Sequence, residues 1–570
     1  MSSMKYIDTS FVPAEFAFDD WSVIEKMFRD LLDREVKSVS DLEQWWRDRS
    51  ELESAISEEG ATRYIAMTCR TDDEEIKKAY LNFVENVEPR VKPLVFALNQ
   101  KHASLPVRTE LDPGRYRVLN RHIDNAVRLF RKENVPIETE LDKLAQQYNE
   151  VCGAMTVEFD GKEQTLPQMA RYLEETDRDV REKAWRGVAE RRLQDRDRIN
   201  EIFDGMRPKR HQLALNAGFD NYRDFMFRKM ERFDYTPEDC ERFHNAVERI
   251  VVPLQRKINR ERAEALGLER LRPWDLQVDV QGRPPLRPFQ TADQLVERTQ
   301  QVFSRMDPSL GALFNQLREP DVLDLESRKG KAPGGYQYQR DRSRRPFIFM
   351  NSAGLARDAE VLLHEAGHAF HSLLCADEPL LQYRHSPIEF AEVASMSMEL
   401  LAMPFIDAFY PERDIADRAR RQHLEGIAQS LPWIATIDAF QHWIYTNPGH
   451  NDADRRRFWR SLLDRFGPEV DWTDLENFRD SSWQRQLHLF DVPFYYIEYG
   501  IAQLGALQMW VNYQKDASKA ISDYKKALSL GGSQPLPKLF EAANIRFDFG
   551  VDMMREVMNA VEAELDSLPI

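Results

Sequence analysis

Apolar residues recur along most of this chain at helical spacing. Ile24, Met27, Phe28, Leu31 and Leu32 fall at i, i+3, i+4, i+7 and i+8, one stripe of an amphipathic helix. Three helix starts are predicted by Ser40-x-x-Glu43, Thr71-x-x-Glu74 and Thr176-x-x-Asp179. In that spacing a hydroxyl and a carboxylate satisfy the free amides of a first turn. Residues 1–195 therefore read as an N-terminal helical region, and 196–570 as a second, larger one. Strands are few. Thr156–Phe159 and Gln164–Leu166 flank Asp160-Gly161, a hairpin signal over 156–166 because the turn needs positive φ at both central residues. A second hairpin is predicted from Gly334–Tyr338 through a polar loop to Phe347–Met350, just before an apolar helix. Residues 271–289 hold Pro273, Pro284, Pro285 and Pro288 and should form an irregular connection.

Composition narrows the class. With 42% hydrophobic and 11% aromatic residues over 570 positions, the chain has too much apolar mass for a solvated coil. Lys and Arg number 79 against 96 Asp and Glu, a net charge of −17, which disfavours a phosphate backbone as partner. The densest basic stretch, Arg340–Arg345, is too short to reverse that. Cys69, Cys152, Cys240 and Cys375 lie far apart with no CxxC pair, as expected of reduced thiols. The start, MSSMKYIDTS, has no apolar core for export, and no run approaches the roughly 18 apolar residues of a membrane span. The expectation is a cytoplasmic protein with no nucleic-acid and no membrane partner; oligomeric state is left open.

The candidate chemistry lies at His364-Glu365-Ala366-Gly367-His368. On a helix the two histidines stand about 40° apart on one face and can share a metal ion, with Glu365 flanking it. Val361, Leu362 and Leu363 before the motif, and Ala369, Phe370, Leu373 and Leu374 after it, predict a buried helix. Unpaired imidazoles there would be costly. Catalytic zinc usually has three protein ligands, so a third is expected downstream. The segment Pro387–Ser395 offers Glu389 and Glu392; apolar neighbours Phe390, Val393, Ala394 and Met396 pull Glu392 inward, whereas Glu389 fits an exposed position. Glu399, seven residues on, could hydrogen-bond a metal-bound histidine. His371 shares the face of His364 and His368, but one straight helix can hardly give three ligands to a tetrahedral ion. It is read as a packing or supporting residue.

A second cluster follows His488 in Pro493–Gly500. Tyr496 and Tyr499 share a helical face, and hydroxyls with a histidine could donate to the oxyanion of a tetrahedral intermediate.

The strings His364–His371 (HEAGHAFH) and Phe390–Ser395 (FAEVAS) resemble the zinc site of the thimet oligopeptidase and oligoendopeptidase F family, closest to its oligoendopeptidase F branch. That family's pattern is HExGHxxH with a glutamate ligand some 24 residues after the second histidine, and here 392 − 368 = 24. Val157–Met169, Leu431–Pro448 and Pro493–Trp510 also read like that branch, so the resemblance covers most of the chain from about residue 150. The resemblance implies a mostly α fold, two helical lobes around a deep substrate channel with small β elements beside the active-site helix, and one Zn2+ per chain. It implies His364, His368 and Glu392 as ligands, Glu365 as general base, and His488, Tyr496 and Tyr499 as catalytic donors, with Tyr495 able to replace Tyr496. It also implies that short peptides lie extended along the hairpin ending at Phe349-Met350-Asn351 and are cut at internal bonds. Two rivals are weighed: a di-iron helical protein built on Glu241-x-x-His244 and Glu365-x-x-His368, and a zinc-stabilised scaffold that binds peptides without cutting them.

Overall fold

The computed structural model describes residues 11–13, 16, 18 and 20–570. The N-terminal stretch Met1–Ser10, read above for export signals, lies outside the described residues. The mostly helical class stands. By its contacts the chain forms two compact units. One comprises residues up to Arg128, Arg287–Ala416 and Gly505–Phe547; the other comprises Leu129–Leu286, Asp417–Leu504 and Asp548–Ile570. The break expected near 195 is thus replaced by interleaved segments. Asp195 joins two helices, Arg178–Gln194 and Arg196–Asn216, inside the second unit. Local patterns mark helix ends, whereas each unit is assembled from segments remote in sequence.

In the first unit the predicted N-terminal stripe forms helix Trp21–Asp33 and buries Ile24, Phe28 and Leu31. They pack against Trp45 and Trp46 of the long helix Val39–Cys69, and the Trp45 indole donates to the Leu31 carbonyl at 2.9 Å. The predicted caps shift by one or two residues. Ser38 with Asp41 forms the capping box of the long helix, Asp73 caps Glu74–Asn86, and Asp177 caps Arg178–Gln194. In the last two an Asp one or two residues after the expected threonine takes the cap, and Asp outranks Thr there.

Five strands occur among the described residues: β1 (Thr156–Phe159), β2 (Lys162–Thr165), β3 (Leu323–Glu326), β4 (Tyr336–Arg340) and β5 (Arg345–Ser352). β1 and β2, in the second unit, pair antiparallel about Asp160 (φ 53°) and Gly161 (φ 69°), the turn the dipeptide predicted. In the first unit the order is β3-β5-β4. β4 and β5 are the predicted second hairpin; β3 runs parallel to β5 and was not foreseen. The buried Lys331 ammonium ties this sheet together, bonding Asp324 at 2.8 Å and the carbonyls of Asp324, Glu326 and Met350. Residues 271–289 are irregular apart from the short turn Pro273–Asp275, as the prolines predicted. All four cysteines are free. No helix is long and apolar enough to cross a membrane among the described residues.

Candidate metal centre

The motif lies on helix Ala356–Leu374 of the first unit, as its apolar flanks predicted, and packs against helix Ile388–Leu401. Gly367 explains how closely. A Cβ built there would stand 2.6 Å from the Ala394 carbonyl oxygen and 2.6 Å from the Ser395 Cα, so only glycine lets the two backbones approach. That approach brings the Glu392 carboxylate to the imidazoles: 3.4 Å from His364 Nε2 and 3.7 Å from His368 Nε2. The three ligand atoms lie within 4.8 Å of one another. Bonds of about 2.0–2.2 Å at a tetrahedral angle place two ligand atoms about 3.3 Å apart, so these residues fit one small divalent cation.

Partners aim the ligands. His364 Nδ1 hydrogen-bonds Glu399 Oε1 at 2.7 Å, which turns Nε2 toward the cluster. Ser395 donates to Glu392 Oε2 at 3.0 Å, and Tyr524 fixes this turn by donating to the Ala394 carbonyl at 2.8 Å. The electrostatics follow from these contacts. Burial opposes charge on His364, but Glu392 and Glu399 overcome it and push its pKa up to about 10. Burial drops His368 to about 4. Glu392 falls to about 2 against the effect of burial, through its bond to His364. The carboxylates thus supply the negative charge that a bound cation would neutralise.

Glu365 is 8% exposed and points beside the ligands rather than into their set. Burial raises its pKa to about 7, against the lowering effect of the Gln337 backbone amide that faces it. That amide belongs to β4, whose far side carries β5. The free edge beside the motif is therefore β4. This corrects the expected role of Phe349, Met350 and Asn351. Their strand β5 lies in the middle of the sheet, with Phe349 fully buried and stacked on Tyr336 at 4.8 Å, and Met350 buried beneath. Asn351 donates to the carbonyls of Ala332 and Gly334, holding the loop before β4. A two-stranded reading of the hairpin could not show which strand was outermost, because β3 was missed.

Other expectations are also revised. Glu389, read as exposed, is 5% exposed and thus buried. His371 packs edge-on against Phe390 and joins no ligand set, in line with a packing role. Glu241 is exposed while His244 is buried, so the Glu241-x-x-His244 pair makes no carboxylate-bridged site.

His488, Tyr495, Tyr496 and Tyr499 belong to the second unit and form a cluster of rings. His488 stands 4.8 Å from Tyr496, 6.0 Å from Tyr495 and 6.1 Å from Tyr499, centroid to centroid. What orients it was not readable from spacing along the chain. The Trp433 indole, a donor only, bonds Gln486 Oε1 at 3.1 Å, so the Gln486 amide nitrogen faces His488 Nδ1 at 2.7 Å. Nδ1 must then accept, leaving the proton on Nε2. Burial lowers the pKa of His488, favouring this neutral donor. The segment before the tyrosines is strained: Phe494 has φ 70°, held by Gln441, which accepts from its N–H, and by the buried Arg232–Glu498 pair at 3.0 Å. Trp433 and Arg485 also line a largely apolar cavity of about 660 Å³ in this unit, with Trp185 and Trp472.

The model of peptidase family M3 matches residues 171–558, and that of the peptidase M3 N-terminal domain matches 11–130, where the sequence had shown no recognisable motif. The chain is 21% identical over 427 residues to oligopeptidase PepF of Bacillus subtilis, covering 71% of this chain and 62% of that one. It is 23% identical over 235 residues to an oligoendopeptidase F homolog of Borreliella burgdorferi, covering 40% of this chain and 39% of the relative. The chain thus spans less than two thirds of the length of either relative. A solved structure of PZ peptidase A bound to an inhibitor superposes with a TM-score of 0.88 at 27% identity, over 99% of both chains. The chain belongs to peptidase family M3.

Proposed function

We propose that this protein is a zinc-dependent oligopeptidase that hydrolyses internal bonds of short peptides. What carries the reading is one arrangement: His364, His368 and Glu392 converge from two helices, and Glu365 lies buried next to His364, its pKa raised toward neutrality. The donor set, two imidazoles and a carboxylate, suits zinc with an open position better than a closed structural site, which favours cysteine. Bound there, zinc would polarise the scissile carbonyl and acidify a water.

The chain's own residues do the rest. Glu365 takes the proton of the attacking water and delivers it to the leaving amine. Burial suits both halves of that task, since a carboxyl raised toward neutrality gives up and accepts a proton with similar ease. Glu399 keeps His364 in the tautomer that presents Nε2. The free edge of β4 offers backbone groups to an extended peptide, binding it with little demand on its side chains. His488, through Nε2–H, and the hydroxyls of Tyr496 and Tyr499 donate to the developing oxyanion, with Tyr495 the alternative to Tyr496. These assignments rest on the family resemblance and on the donor chemistry of the cluster. Losing one such donor should raise the barrier by about 3–4 kcal/mol.

The experiment is mass spectrometry of a mixed pool of short peptides incubated with the protein, with and without a chelator. Internal cleavage that the chelator abolishes and zinc restores is expected. Cleavage indifferent to the chelator, or peptides bound but never cut, would remove this reading.

A further inference from the structure

The motif Glu241-x-x-His244 has no carboxylate site, but His244 has a different set of neighbours. Helix Pro237–Ala246 carries Cys240 and His244, and helix Arg413–Thr446 carries Asp438 and His442. Each pair is spaced i, i+4, hence on one helical face. All four side chains lie in the second unit, and all are buried, Asp438 completely. The Cys240 sulfur, an Asp438 carboxylate oxygen and a His442 ring nitrogen lie within 4.8 Å of one another.

A hydrogen-bonded core network explains only part of this. His244 Nε2 bonds Asp438 Oδ2 at 2.8 Å. His442 Nε2 approaches the same oxygen at 3.3 Å, yet neither of its ring nitrogens has a hydrogen-bond partner, nor does Asp438 Oδ1. Around them stand Phe227, Phe466 and Phe494. A buried carboxylate needs a counter-charge, and a buried imidazole with both nitrogens idle is costly. The 3.3 Å approach lacks hydrogen-bond geometry but matches the edge of a tetrahedral coordination shell.

We propose that Cys240, Asp438 and His442 form a second metal site, separate from the M3 centre, that holds a zinc-class divalent cation. Thiolate with imidazole and carboxylate selects zinc and its borderline congeners over magnesium or calcium. His244 is a positioning residue, bonded to the ligating carboxylate as the partners of metal ligands are elsewhere. Binding deprotonates Cys240, and the proton leaves to solvent. The metal would clamp two helices of the second unit together.

The M3 centre contains no cysteine, and of the four free cysteines only Cys240 joins a metal-ligand cluster among the described residues, so a thiolate band that Cys240→Ser removes reports this site. The test is the whole protein expressed in cobalt-supplemented medium, with metal counted per chain and the near-ultraviolet spectrum recorded. About two cobalt ions per chain and a thiolate-to-cobalt charge-transfer band are expected. The double variant His364→Ala/His368→Ala should keep one ion and the band, while Cys240→Ser should lose one ion and the band. Should Cys240→Ser fail to fold, His442→Gln and the wild-type spectrum decide. A single ion per chain with no thiolate band in the wild type, or a band that survives in Cys240→Ser, overturns the proposal.

Discussion

Single side chains set the chemistry through what touches them. His364 needs Glu399 to hold its Nδ1 proton, so Glu399→Gln should weaken metal affinity by about 10–100-fold, as read by competition with a calibrated chelator; unchanged affinity would deny Glu399 that role. His488 depends likewise on Gln486. Gln486→Leu should lower kcat more than it raises KM, because it frees the imidazole to place its proton on Nδ1; an effect confined to KM would point to substrate binding instead. At this scale the geometry of the candidate site was largely legible. An HExxH string places two imidazoles and a neighbouring carboxylate by helical geometry alone, and the apolar residues around Glu392 marked it as inward-facing. The Trp433–Gln486–His488 relay was not legible, because its members are separated by more than fifty residues in part and each is an ordinary polar or aromatic residue by itself. Glu389 misled for a related reason: burial of a helix residue depends on what packs above it, which spacing does not reveal.

Elements bring these side chains together, and Gly367 is where two of them meet. Gly367→Ala should force the Ile388–Leu401 helix outward, since the new methyl would collide with backbone at 2.6 Å. A loss of about 1–3 kcal/mol in stability, read by denaturant unfolding, should accompany weaker metal binding through displacement of Glu392. Wild-type stability and affinity would show that the helices approach less closely than described. Helix existence and the Asp160-Gly161 turn were readable because each is local. Cap positions slipped by a residue or two because several capping side chains stood side by side. The edge strand was misassigned for a nonlocal reason. β5 is the middle strand only because β3, some twenty residues upstream, lies parallel to it.

At the scale of the whole molecule, the division into units escaped a linear reading because each unit is built from three separate stretches. Stability should carry the mark of one buried histidine. His102 accepts from the Trp46 indole at 3.1 Å and bonds Asn120 at 2.7 Å, and burial lowers its pKa to about 4. The unfolded chain would protonate it near pH 6.5, so the folded state binds fewer protons between those values. Stability should therefore fall as pH drops from about 6.5 to about 4, by about 3 kcal/mol from this residue. His102→Gln keeps a donor and an acceptor but cannot titrate, and its unfolding free energy should decline less steeply over that window. Parallel declines in the two proteins would exclude His102 as the cause.

The account as a whole stands on a metal held by two histidines and a glutamate while a neighbouring carboxylate moves the proton. Glu365→Gln separates those roles, so its metal content and peptide turnover should be measured side by side with the wild type. The predicted result is unchanged metal content with turnover reduced by about 10²–10⁴-fold. Turnover near the wild-type rate would contradict it.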